Sequence, residues 1–243
     1  MQNEIYPFKI RIADLNVLVA AQYPFAKRHC ADYLSEFESP DVTVAVTDED
    51  IDREMALADH PVSRGYAEFI CIHRAIALQL PRFGGFVFHA SVVECDGQAY
   101  AFSAPSGTGK STHTALWLEA FGDRARVING DKPILRFREG QLYAYGTPWC
   151  GKEGLSTNAS APLRAICFLT RGIENAIQSI GNDEAVKRLF AQILLPDDTG
   201  EMLMLLDLLD RMIKKTPTYL LACNTQKEAA LVAYHGMNRE DRV

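Results

Sequence analysis

Two hydrophobic periods alternate along this chain, and their order sets the elements to expect. Phe8-Lys9-Ile10-Arg11-Ile12 switches between apolar and basic at every residue, the pattern of a half-buried strand, and Leu15 to Ala20 reads as a second strand. Phe25 to Phe37 places Tyr33, Leu34 and Phe37 at helical spacing, and Val42 to Val46 returns to a strand. Asp48 to Asp59 is acidic with few apolar residues, which suits a surface helix or loop ended by Pro61. Gly65 to Leu80 carries the strongest helical stripe of this half, with Tyr66, Phe69, Ile70, His73, Ile76, Ala77 and Leu80 on one face. His73 on such a face reads as a core histidine. Pro81 and Gly84-Gly85 then interrupt the pattern.

Beyond the interruption, Phe86 to Glu94 predicts a long strand. Asp96-Gly97 marks a hairpin, and Gln98 to Ser103 a short buried strand. A helix follows to Phe121, with Ala115, Leu116 and Ala120 on one face, Gly122 at its end, and His113 on the solvated side. Arg126 to Asp131 reads as a strand ending in an acid. Leu135 and Phe137 alternate with Arg136 and Arg138, Glu139-Gly140 turns, and Gln141 to Tyr145 returns as a second hairpin. Gly146 to Gly154 is an irregular loop, with Trp149 read as packed beneath it or stacked on a substrate or adenine, and Ala165 to Leu169 is a fully apolar strand. The last third predicts helices over Asp183 to Leu195 and Glu201 to Lys215, the second with a Leu/Met stripe read as core. A strand over Thr218 to Cys223 follows, and a capping box, Thr225 to Glu228, opens a final helix.

Between the strand at Ser103 and the helix lies Ala104-Pro105-Ser106-Gly107-Thr108-Gly109-Lys110-Ser111-Thr112. Its end matches the Walker A pattern G-x-x-x-x-G-K-[ST], with Ala104 in place of the first glycine. Glycine permits the backbone angles and close approach that let N–H groups wrap phosphate oxygens. On this reading Pro105, Ser106, Gly107, Thr108, Gly109, Lys110, Ser111 and Thr112 form a P-loop that binds a nucleotide. Lys110 would reach the β/γ-phosphates, the Ser111 hydroxyl would hold Mg²⁺, and the helix opening at Lys110 adds its positive end. Asp131, at the end of a strand, suits the Walker B role of bringing a carboxylate to the metal.

Composition narrows the classes. A chain of 243 residues with 48% hydrophobic and 23% charged residues can bury a sizeable core. A net charge of −6 argues against a nucleic-acid partner. Six cysteines without a C-x-x-C spacing read as free buried thiols of a reducing compartment. Met1-Gln2-Asn3-Glu4 shows no basic region before an apolar run and no apolar stretch approaches membrane-spanning length. No membrane partner and a cytoplasmic location are the expectations. The chain is read as residues 1–80, a small N-terminal α/β lobe packed on the core, and residues 81–243, the nucleotide-binding core.

Phe88-His89-Ala90-Ser91-Val92-Val93, the Asp-Gly hairpin, the loop through Thr112, and Ile128-Asn129-Gly130-Asp131 come in an order that resembles the HPr kinase/phosphorylase family. It also resembles that family's relatives, the ATP-dependent phosphoenolpyruvate carboxykinases. Tyr143 to Lys152 looks like a loop of uncharacterised HPr-kinase-like proteins. The resemblance covers about residues 86–235 and leaves the first 80 unmatched. It implies an α/β fold: a P-loop core of HPr kinase/carboxykinase type, with a mixed, hairpin-rich sheet and flanking helices. It implies ATP and Mg²⁺ as cofactors, Asp131, Lys110 and His89 as catalytic residues, and Ser111 and Asp131 at the metal. HPr kinases are oligomers, so a homo-oligomer is implied as well. His89 is also readable as a hydrogen-bonded strand histidine, Asp131 as a turn cap, and Lys152 as either a phosphate contact or a solvated loop lysine. The family carries two adjacent aspartates where this chain has Gly130 and Asp131, and the chain is too short for a full carboxykinase.

Two functions follow as expectations. One is an ATP-dependent kinase transferring a phosphoryl group to a hydroxyl, of serine type, on a protein, peptide or small molecule. The other is a nucleotide-binding regulatory or scaffold protein weakened in catalysis by the missing aspartate.

Overall fold

The computed structural model describes residues 6–239, so Met1 to Glu4, read above for a leader, lie outside the described residues. The chain divides into two compact units, Met1–Leu80 and Pro81–Val243.

In the first unit β1 (Tyr6–Ile12) and β2 (Leu15–Ala21) form an antiparallel hairpin. Ala13 and Asp14 both take positive φ at its two-residue turn, as the right-handed twist of paired strands favours. The segment read as one helix over 25–37 is instead α1 (Pro24–His29) and a 3₁₀ turn, Ala31–Tyr33. From Leu34 the chain runs extended beside β1: Leu34 bridges Ile10, and Ser35 N–H donates to Lys9 O at 3.1 Å. Pairing with an open strand edge there displaces the weak helical spacing. β3 (Val42–Ala45) joins β2 in parallel. α2 (Asp48–Leu57) is a helix with a reciprocal Thr47/Asp50 capping box. α3 (Arg64–Gln79) starts on the Ser63 cap and buries Glu68, Phe69, Ile72 and Ile76, while Tyr66 is exposed. Phe69, Ile76, Ala77 and Leu80 of the expected stripe are buried, and the buried face extends beyond it to Glu68 and Ile72. Glu68 explains part of this: its carboxylate accepts the Gln22 and Tyr23 N–H groups at the start of α1.

The second unit is a mixed sheet between two helical layers. The strand read over 86–94 is broken into β4 (Gly85–Val87) and β5 (Ser91–Cys95). Between them Phe88, His89 and Ala90 donate their N–H groups to Pro133 O, Gln192 O and Asp131 O. The chain crosses there from one part of the sheet to another, which no local pattern of apolar residues encodes. β6 (Gln98–Ser103) follows the Asp96-Gly97 turn, and α4 (Lys110–Phe121) the glycine loop. β7 (Ala125–Asn129) ends two residues before Asp131. β8 (Ile134–Arg138) and β9 (Gln141–Tyr145) form the second hairpin. β10 (Ser160–Arg171) is longer than its apolar centre because it pairs with β9 at one end and with β6 further along. β11 (Ala176–Ser179), polar and mostly exposed, was not foreseen. α5 (Asn182–Phe190) stops before Gln192, short of the helix read to Leu195, and α6 (Thr199–Lys215) begins on an Asp198 cap. β12 (Thr218–Cys223) leads to α7 (Glu228–Met237). The capping box read at Thr225 does not form; Asn224 Oδ1 accepts the Gln226 N–H instead.

The sheet order is β4-β8-β9-β10-β6-β5-β7, with β12 on β10 and β11 on β12. β6, β10 and β12 run parallel, while β5 is antiparallel to β6 and β7. Strand alternation sorts the core into two faces. Ala99, Ala101, Ile166 and Phe168 pack with Leu189, Leu205, Leu208 and Met212 of α5 and α6. Tyr100, Phe102, Ala165 and Cys167 pack with Trp117, Ala230 and Met237 of α4 and α7. α4 accordingly buries His113, Thr114, Leu116 and Trp117 and exposes Ala115. His113 is buried, not solvated as its position suggested. Among the described residues no helix is long and apolar enough to cross a membrane.

Candidate functional site

The glycine loop leaves β6 and enters α4 through two positive-φ glycines, Gly107 (75°) and Gly109 (124°). A Cβ at either would meet nothing within 4 Å, so backbone angle and not crowding calls for glycine there. Thr108 N–H closes a tight turn onto Pro105 O at 3.2 Å. The first N–H groups of α4 lack partners inside the helix, as at every helix start. The loop is tethered from outside by Arg171, whose Nη2 donates to Gly107 O at 2.9 Å.

Lys110 is the first residue of α4 and is 9% exposed. Its ammonium donates to Ala104 O at 3.1 Å and lies 3.1 Å from His89 Nε2. Burial lowers its pKa, and the nearby charge of Asp131 works against that fall. An ammonium held by a carbonyl and an imidazole instead of a carboxylate is suited to receive an anion.

His89 stands in the break between β4 and β5. Its Nδ1 lies 2.8 Å from Gln192 Oε1, and Nε2 lies 3.1 Å from Asp131 Oδ1 as well as from Lys110. One ring nitrogen cannot both donate to the carboxylate and accept from the ammonium. The two contacts therefore compete for Nε2.

Asp131 lies beyond β7 in a turn built by Asn129. The Asn129 Oδ1 accepts the N–H groups of Asp131 (2.8 Å) and Lys132 (2.7 Å), and its Nδ2 donates to Thr147 O and Oγ1, both at 3.0 Å. The Asp131 carboxylate accepts from Lys132 Nζ at 2.7 Å. Burial raises its pKa, but the hydrogen bonds from His89 and Lys132 outweigh this and hold it well below the usual carboxylate range. Asp131 is therefore ionised at neutral pH.

These groups face one cavity of about 600 Å³. Of the residues singled out in the sequence, His89, Ser106, Gly107, Gly109, Lys110, Ser111, Thr112 and Asp131 line it, as does Lys152; Pro105 and Thr108 do not. Trp149 is buried under its loop. Sequence reasoning missed Asn129, Lys132, Gln192, Thr147 and Glu153. Asn129 was findable, since an Asn before Gly is a ready turn former. Gln192 had no signal, lying 103 residues from its partner His89.

Position 130 is closed. Gly130 N–H donates to Leu155 O at 2.9 Å, and a Cβ there would lie 2.9 Å from Cys150 O and 3.3 Å from Leu155 O. A second acid has no room in this arrangement. Another carboxylate, that of Glu153, lines the cavity from the glycine-rich loop.

The fold and this cavity define a mixed α/β protein built around a glycine loop and a buried lysine. The family model described as "ScmC: SynChlorMet cassette protein ScmC" matches residues 67–227, and the chain belongs to that family. No curated protein matches the chain. Among solved structures it is similar to the Hpr(Ser) kinase/phosphatase from Coxiella burnetii, at 9% identity over 61% of this chain and 94% of that one, with a TM-score of 0.36.

Proposed function

We propose that this chain is an ATP-dependent phosphotransferase whose glycine loop is a P-loop, and that its acceptor is a hydroxyl of serine type. The observation that carries the reading is the buried Lys110 ammonium, set behind the positive-φ loop and beside the ionised Asp131 in one cavity. Lys110, Ser106, Gly107, Gly109 and Thr112 bind the phosphates. Lys132, paired with Asp131, and Lys152 add cationic groups to the same cavity.

Among the described residues no group of three or more His, Cys, Asp or Glu side chains could hold a metal by itself. Mg²⁺ commonly uses one or two carboxylates with substrate phosphates. Asp131 and the Ser111 hydroxyl fit that donor set, and a carboxylate retains lone pairs beyond those given to His89 and Lys132. When bound, the ion neutralises charge on the β/γ-phosphates. Asp131 orients the acceptor hydroxyl and takes its proton. Its depressed pKa favours positioning and charge over early deprotonation, in keeping with a loose phosphoryl-transfer transition state. His89 steadies Asp131 through Nε2, and Gln192 fixes the ring from Nδ1.

A second reading, nucleotide binding without transfer, draws on the closed position 130 and on the two hydrogen bonds that already engage Asp131. Incubation with γ-labelled ATP, Mg²⁺ and a mixture of serine-containing peptides separates the two. Label transfer or release by the wild type, lost in Asp131→Asn, supports the phosphotransferase. Tight ATP binding with no turnover supports the binder. Full transfer by Asp131→Asn removes the role given to that residue.

A further inference from the structure

Lys132 is aimed at the cavity by its own backbone. Its N–H donates to Asn129 Oδ1 at 2.7 Å, and its carbonyl accepts the Thr147 hydroxyl at 2.8 Å. Pro133 follows, and a residue before proline disfavours the helical region. A main chain pinned on both sides leaves the side chain few directions. It lines the cavity, and Nζ donates to Asp131 Oδ2 at 2.7 Å. The same Asn129 oxygen holds the Asp131 N–H, so one turn sets both ends of this ion pair. The two side chains are 32% and 29% exposed, and a partly buried pair is screened less than one on open surface.

The pair closes a chain of contacts across the cavity. Lys110 Nζ lies 3.1 Å from His89 Nε2, His89 Nε2 lies 3.1 Å from Asp131 Oδ1, and Lys132 holds Oδ2. Asp131 thus carries an imidazole on one oxygen and an ammonium on the other. A bare carboxylate beside the glycine loop would repel phosphates, and a cation seated on it cancels most of that repulsion. A divalent ion on Asp131 would do the same. An ammonium and a divalent ion on one carboxylate repel each other, so the two alternate. The turn offers no second carboxylate to share between them, since a side chain at position 130 would meet the Cys150 and Leu155 backbone oxygens.

We propose that Lys132 is a built-in stand-in for the divalent ion: its ammonium neutralises Asp131 while a nucleotide enters, and it gives up Oδ2 when the ion arrives. The inference rests on the phosphate-binding reading of this cavity. Lys132 is then a positioning residue that acts through Asp131, without contact to the reacting atoms. The nucleotide can load ahead of the metal and need not arrive as its metal complex. The metal adds little to nucleotide affinity in this chain, because the charge it would cancel on Asp131 is cancelled already.

Calorimetric titration of the whole chain with ADP in EDTA, and with ADP in excess Mg²⁺, gives the factor by which the metal tightens ADP. In the wild type that factor is expected to stay below about tenfold. Lys132→Met keeps most of the side chain and removes its charge. It is expected to weaken ADP in EDTA, to hold Mg·ADP within about threefold, and so to raise the factor by at least about tenfold over the wild type. Lys132→Arg restores the cation and is expected to return the factor to near the wild-type value. A factor unchanged in Lys132→Met, or raised equally in Lys132→Arg, would overturn the proposal and leave the nucleotide site standing. Loss of Mg·ADP binding in Lys132→Met would also overturn it, because the lysine would then be a direct phosphate ligand. If the wild type binds ADP under neither condition, the nucleotide reading falls and this inference falls with it.

Discussion

Gly130→Ala measures how tightly the glycine-rich loop closes over the turn that carries Asp131. The two atoms nearest the added methyl are backbone oxygens, Cys150 O at 2.9 Å and Leu155 O at 3.3 Å. Neither can rotate away as a side chain would. The loop is also fastened just beyond Leu155: Ser156 Oγ donates to Thr147 O at 2.8 Å, Thr157 N–H to Ile128 O at 3.0 Å, and Gly146 N–H to Ala159 O at 3.0 Å. Overpacking of this kind costs about 1–3 kcal/mol. Gly130 does not take positive φ, so alanine recovers about 0.4–1 kcal/mol by restricting the unfolded chain. With both contacts on backbone the cost falls in the upper half of that range, about 2–3 kcal/mol, so the net loss is about 1–2.6 kcal/mol, or roughly 2–10 °C in Tm for a chain of this size. Urea and thermal denaturation give both quantities. Gly130→Asp, which would set a second acid beside Asp131, is expected to cost more and to add no turnover. A Gly130→Ala protein as stable as the wild type would refute the closed-loop argument, and a more active Gly130→Asp would refute the claim that no acid fits.

Three further outcomes are expected. Mg·ATP at about 100 times its dissociation constant should stabilise the wild type by about 2.7 kcal/mol, and Lys110→Ala should show no such rise in melting temperature. Burial pushes the His113 pKa down to about 4 from the ordinary 6.5, so the unfolded state binds the proton first as pH falls. Stability should therefore be full above pH 6.5 and drop by about 3 kcal/mol on approaching pH 4; His113→Phe should remove that part of the slope, seen by urea denaturation across the range. Gln192→Leu removes the hydrogen-bond partner of His89 Nδ1 and should lower phosphoryl transfer while leaving ADP affinity within about threefold, a difference of roughly 0.6 kcal/mol; an ADP affinity lost in step with transfer would contradict a purely orienting role.

Local chemistry was legible where the signal is local. The Asp96-Gly97 and Glu139-Gly140 turns, the loop ending in Gly109-Lys110-Ser111, and the apolar runs of β6 and β12 each carry their instruction in a few adjacent residues. The Ala13-Asp14 turn uses the same backbone geometry without glycine, and residue type alone did not mark it. Long-range pairing was not legible. The strand-like run from Phe86 to Glu94 gives no hint that its middle donates to Pro133, Gln192 and Asp131 instead of to a neighbouring strand. That crossing is what brings His89 to the cavity. His113 was misplaced for a related reason: its position on the helix suggested solvent, while tertiary packing supplied Phe102 and the Trp117 indole around it. Glu68 repeats the lesson in the first unit, a buried carboxylate whose partners are backbone N–H groups more than 40 residues away.

The most direct test is the affinity of Mg·ADP for the wild type and for Lys110→Ala, measured by calorimetry. Lys110 is buried with its ammonium facing the cavity, and charge-assisted hydrogen bonds contribute about 1.5–3 kcal/mol. Saturable one-site binding by the wild type, weakened at least tenfold in Lys110→Ala, is the expected result. Equal affinities, or no binding by the wild type, would contradict the assignment of this cavity to a nucleotide.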